Sequence, residues 1–182
     1  VIVVEEINRG NPAQIFGEML TLLEADKRRS SDALELSYRR YPDERVYIPP
    51  NLYVIGTMNV ADRSLALVDM ALRRRFAFFD MRPLFNEAWK SWLQDEFGFE
   101  RRFIDNLATK VESLNLAITE DPSLGVQYRV GHSYFTPPSD THVSDPNAWL
   151  LQVVKTELGP LIEEYWFDDP EMVSQQISAL QQ

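Results

Sequence analysis

The chain of 182 residues has no cysteine. That excludes disulfide bridges and thiolate metal sites, and it agrees with a cytoplasmic location. Histidine is nearly as scarce, and His132 has no companion His or Cys at metal-ligand spacing. Long apolar runs are missing too. None approaches the roughly 18 residues that a membrane span needs, so no membrane association is predicted. The apolar start Val1–Val4 is too short for a signal peptide and runs at once into Glu5 and Glu6. Positive charge is in deficit, with 18 Lys and Arg against 28 Asp and Glu, a net charge of −10. Phosphate contacts need clustered cations, so the chain by itself is a poor nucleic-acid binder. Any DNA contact is expected from another domain, a partner or a small local patch.

What is present is enough apolar material for a buried core. Val1–Val4 reads as a β-strand, because a continuous β-branched run suits a sheet covered on both faces. A chain seldom begins inside such a strand, so the sequence predicts a piece of a longer protein whose preceding part held more strands of the same sheet. Asn11 and Pro12 then suit the cap and first turn of a helix to about Asp26, with Ile15, Met19, Leu22 and Leu23 on one stripe. Alternation in Leu34–Tyr38 and Val46–Ile48 predicts a small hairpin. A second buried strand follows at Leu52–Ile55. A helix from a Ser64 cap to about Arg74 comes next, with Leu65, Val68, Ala71 and Leu72 inward, and then a third strand at Phe76–Asp80. Strand, helix, strand, helix, strand predicts an α/β core with a mostly parallel sheet. From Pro83 the pattern turns helical, at about 84–97, 100–118, 146–158 and 169–181, with a loop at 119–145. Asp145-Pro146 and Asp169-Pro170 look like N-caps with first-turn prolines. The predicted organisation is therefore a core at 1–82 and a helical subdomain at 83–182.

Four features carry potential chemistry. The first strand ends in Glu5 and Glu6, which could help hold a phosphate-bridging metal ion and polarise a water; two surface acids at a solvated strand end would look the same. The second strand leads into Thr57–Ser64, where the Asn59 amide could hold a water and Asp62 stands close by; turn and capping chemistry alone also accounts for these residue types. Arg73-Arg74-Arg75 closes the next helix. The helix dipole explains cations there, but three in succession exceed what capping needs, and an arginine finger is the sharper reading. In Gln127–Tyr134, Arg129 is a candidate for binding phosphates from a helical lid, whereas His132 reads as a packing residue.

In combination these segments resemble the McrB family, within the dynein-related branch of AAA+ proteins. The resemblance rests on Glu5–Arg9 with Phe16-Gly17-Glu18, on Met58–Ser64, on Ala71–Phe76 and on Gly131–Phe135. It implies the C-terminal part of a AAA+ α/β core followed by a helical lid. Glu5 and Glu6 would be the Walker B acids, with Glu6 catalytic and Glu5, where the family usually has Asp, near Mg2+. Asn59 would position the water as sensor 1, beside Asp62; Val60 stands where the family signature has Thr. Arg73 and Arg74 would be the fingers donated to a neighbouring subunit. The substrate implied is GTP, with ATP as the other candidate. A hexameric ring, a McrC-like nuclease partner and DNA reached through the complete complex complete the expectation.

The phosphate-binding loop Gly-x-x-x-x-Gly-Lys-Ser/Thr occurs nowhere in the chain. Without its backbone cradle and lysine, the chain alone is predicted not to bind a triphosphate tightly. Two other readings stand beside the motor: a MoxR-like ATPase that remodels proteins, and a catalytically inactive assembly module that uses Arg73–Arg75 to dock on a neighbour.

Overall fold

β-Branched side chains favour extended backbone, and Ile2–Val4 forms the first strand, β1. In the computed structural model, which describes residues 1–61 and 70–181, the chain divides into two units, Val1–Asp80 and Met81–Gln182. Charge divides unevenly between them. The first unit carries 11 basic and 12 acidic side chains, a net −1, and the second 7 and 16, a net −9.

In the first unit, β1 pairs in parallel with β4 (Val54–Gly56), in the register Ile2 to Val54, Val3 to Ile55 and Val4 to Gly56. The expected small hairpin forms from β2 (Leu34–Glu35) and β3 (Arg45–Val46), which pair antiparallel. Ile7, Leu20, Leu22, Leu23, Ile48 and Leu72 make the buried core, with Val4, Val54 and Met58 packed against it. Two expectations fail here. A strand covered on both faces should bury Val3, yet Val3 is 58% exposed. The described residues supply only one neighbouring strand, and β1 and β4 make a two-stranded ribbon. Phe76–Asp80, expected as a third strand, joins no ladder among the described residues, and Phe79 is 85% exposed.

The first helix is also shorter than its apolar periodicity suggests. Helix α1 covers Pro12–Phe16, and the chain then tightens into 3-10 turns at Gly17–Leu23 and Ala25–Lys27. Gly17 lies at φ 51, outside helical geometry, and takes the chain out of α-helix. With three residues per turn the stripe loses phase. Leu22 and Leu23 stay buried but Ile15 is 61% exposed. Arg28 clips this region to the sheet: its guanidinium donates to the carbonyls of Leu23 and Leu52. Helix α2 is described over Met70–Arg73. The expected Ser64 cap, with Leu65 and Val68, lies outside the described residues.

The second unit is helical: α3 (Glu87–Phe97), α4 (Arg101–Glu120), α5 (Pro146–Val153), α6 (Gly159–Tyr165) and α7 (Pro170–Gln181). Side-chain caps begin three of them. Asn86 Oδ1 accepts from the Trp89 N–H, Asp145 Oδ1 from Asn147 and Ala148, and Asp169 Oδ1 from Met172. Gly98 ends α3 at φ 66, donating to the Gln94 and Leu93 carbonyls, the left-handed stop that glycine adopts most cheaply. The expected helix end near residue 158 is not an end. A π-helical segment, Val154–Leu158, links α5 to α6 and carries the run past Pro160. Proline lacks an N–H and clashes with the preceding turn, and a π-segment relieves the hydrogen-bond mismatch. The long loop after α4 is anchored, because Val130 and Phe135 are fully buried with Leu93, Ile104, Leu107, Val111 and Leu158.

Candidate active site

In a parallel sheet, ligands bind where the strands end at their carboxyl edge. β1 and β4 run the same way, so the residues that follow Val4 and Gly56 emerge at one edge. Those residues are Glu5 and Glu6 on one strand, and Thr57, Met58 and Asn59 on the other. Hydrogen bonds beyond the ladder tie the two tips together. Thr57 N–H donates to the Val4 carbonyl at 3.0 Å and Ile7 N–H to the Thr57 carbonyl at 2.9 Å. The Glu6 N–H donates to the Thr57 hydroxyl at 3.1 Å. Asn8 Nδ2 donates to the Asn59 carbonyl at 3.1 Å.

Glu6 has φ 51, a left-handed conformation seen at no other non-glycine among the described residues. Such a backbone costs about 1–2 kcal/mol for a residue with a Cβ, and persists where surrounding bonds impose it. Here the Thr57 hydroxyl and carbonyl, holding Glu6 and Ile7, impose it. The Glu6 carboxylate pairs with Arg9 on its own turn. Glu5, by contrast, is exposed. Two hard oxygen donors at a strand tip suit Mg2+, which typically takes one or two carboxylates together with substrate phosphates. Among the described residues no cluster of three or more acids or histidines would hold a metal without such a substrate.

Asn59 is exposed, and its Oδ1 accepts from the Ala61 N–H at 3.0 Å. That bond turns the backbone and leaves donation from Nδ2 as the chemistry of this side chain. Asp62, expected beside it, lies outside the described residues.

The three arginines separate. Arg75 turns inward and pairs with Glu24 Oε1 at 2.7 Å. Arg73 and Arg74 are exposed, with the Arg73 guanidinium 5.9 Å from the Phe78 ring centroid, a cation–π distance. Two of the three therefore project to solvent, and the third is part of the unit's own packing.

In the second unit Arg129 lines an open cleft of about 300 Å³ with Phe85, Glu112, Asn115, Leu116 and Thr119. Its Nε donates to the Val126 carbonyl, so the terminal nitrogens are the ones directed elsewhere. Sequence reading missed the residue beneath it. Asn115, buried on α4, accepts from the Val130 N–H at 2.6 Å and donates to the Val130 carbonyl at 3.0 Å, fixing the backbone next to Arg129. His132 is a packing residue, as expected: its Nδ1 accepts from the Leu84 N–H and its ring meets Phe85 edge-on.

A parallel strand pair ending in acids and an asparagine, followed by a helical unit, is the class of a partial AAA+ module with its lid. Residues 1–76 match the AAA domain of the dynein-related subfamily, and residues 106–174 match the alpha-helical lid domain of McrB. The chain is McrB-like. It is 42% identical over 172 residues, 93% of its length, to the Type IV methyl-directed restriction enzyme EcoKMcrB subunit of Escherichia coli (strain K12). It is 33% identical over 87 residues to the Type II restriction enzyme BsuMI component YdiS of Bacillus subtilis (strain 168). These matches span 37% and 25% of the two relatives' lengths, and 43% of this chain in the second case.

Proposed function

We propose that the chain is the part of a restriction-system NTPase motor that carries the water-activating and metal-side residues. The reading rests on one observation: Glu5, Glu6 and Asn59 leave one edge of a parallel strand pair whose tips Thr57 and Asn8 bind together. In it, Glu6 takes a proton from the attacking water and the Asn59 amide orients that water. Glu5 would hold Mg2+, whose charge stabilises the transferred phosphoryl group. Arg73 and Arg74 serve a neighbouring subunit's nucleotide, Asp62 supports the Asn59 turn, and Arg129 offers a cation to the phosphates.

The substrate is GTP, with ATP as the other candidate, and the working form is a hexameric ring with a McrC-like nuclease. Residues 1–82 are the core part and 83–182 the lid. DNA is reached through the complete cytoplasmic complex, because the helical unit's net charge of −9 repels a phosphate backbone.

Hydrolysis of GTP and ATP by the full-length protein, with and without the nuclease partner, tests this. Wild type should turn over one of them, and Glu6→Gln and Asn59→Ala should not. A wild type inactive on both nucleotides would make this an assembly module instead.

A further inference from the structure

Asn8 is 5% exposed, yet it is polar, and only half of its side chain is satisfied. Nδ2 donates to the Asn59 carbonyl; Oδ1 is buried and has no partner among the described residues. The orientation is settled by the partner. The Asn59 carbonyl can only accept, so the amide nitrogen must face it. A buried acceptor left unmade opposes folding. Stability alone therefore gives no reason for asparagine here, since an apolar residue of the same shape would fill the site without the orphan.

The bond acts on a residue held at both ends. The Asn59 carbonyl is fixed by Asn8, and its Oδ1 by the Ala61 N–H. Together these set the peptide plane after Asn59 and the direction of its Nδ2. Asn8 sits two residues past Glu6, on the turn whose left-handed start the Thr57 hydroxyl holds. One short turn thus carries the acid and, through Asn8, aims the amide. We propose that Asn8 is a positioning residue that sets the distance and angle between the Glu6 carboxylate and the Asn59 amide. The inference rests on the hydrolysis reading above and adds a residue to it.

The test is steady-state hydrolysis by the full-length protein carrying Asn8→Leu, with Asn8→Asp alongside. N8L removes the donor and the orphan acceptor together and leaves the carbonyl of an exposed residue, Asn59, to be solvated. Misplacement of a reacting group by about an ångström lowers turnover by about 100-fold. We expect kcat to fall by about 10- to 100-fold in N8L, with KM within about twofold of wild type and an unchanged melting temperature. N8D keeps the shape but places a carboxylate against a carbonyl, and it should lose kcat at least as far. If N8L does not fold, N8D carries the same comparison. Wild-type turnover with unchanged kcat in the variants overturns this inference alone. A parallel fall in melting temperature with kcat intact assigns Asn8 a purely structural role and overturns it too. No turnover by wild type overturns the hydrolysis reading and this inference with it.

Discussion

Asn115 and Val130 exchange two hydrogen bonds, side chain to backbone, across the buried face of α4. Both bonds are buried, although Asn115 also lines the cleft beside Arg129. Asn115→Leu should therefore destabilise the helical unit by about 1–3 kcal/mol, since it strands a buried N–H and a buried carbonyl. Denaturant unfolding followed by tryptophan fluorescence reads this directly; a loss below about 0.5 kcal/mol would show that the loop needs no clamp.

The arginine triad predicts a split between stability and turnover. Arg75→Ala breaks the pair with Glu24 and should lower the melting temperature. Arg73→Ala and Arg74→Ala touch exposed side chains and should leave it within about 1 °C of wild type. If either serves as a finger, the same variant lowers kcat of the assembled protein by about 10³–10⁵. Retained turnover in both would remove that role.

Glu6 predicts a gain in stability at the expense of chemistry. Its left-handed φ suits glycine, so Glu6→Gly should be at least as stable as wild type, by up to about 1 kcal/mol. The exposed pair with Arg9 adds little that would be lost. Thermal melts of wild type, Glu6→Gly and Glu6→Ala decide it, with Glu6→Ala expected to melt no higher than wild type.

Asp121 makes the helical unit sensitive to acid. Its carboxylate accepts from the Ser123 hydroxyl, the Trp166 indole at 2.7 Å and the Ser123 N–H, and these bonds hold its pKa below the ordinary 3.8. The stabilisation is present above the unfolded value and is lost as pH falls through the depressed folded one. Asp121→Asn should thus melt below wild type near neutral pH, and the gap should narrow as pH falls through the depressed folded pKa. A gap independent of pH would mean that shape rather than charge matters.

Local chemistry was the legible part of the fold. Asp145-Pro146 and Asp169-Pro170 announce helix starts because caps and prolines act on their own turns. The helical character after Pro83 was visible in the same way. What was not legible depends on distant partners or on single backbone angles. Phe76–Phe79 has the composition of a strand, but only a neighbouring ladder makes one. The Gly17 angle ended α1 early, and the π-segment carried a helix past Pro160, both against pattern. At the candidate site, strand tips bearing Glu5 and Asn59 followed from apolar runs meeting polar residues. The bonds from Thr57 and Asn8 that join those tips span 51 positions each, and no periodicity encodes them.

The π-segment Val154–Leu158 also constrains how this unit can change. A π-turn holds one residue more than the α-helical turn it replaces, so α5 and α6 are out of phase by one position. Removing one residue there would leave Ile162, now buried, on the same face, but it would close the turn to α-helical spacing and bring the Pro160 ring against the carbonyl of the preceding turn. The extra residue is therefore the slack that lets one continuous helical run accept a proline, and the segment tolerates Pro160 only as long as that slack is kept.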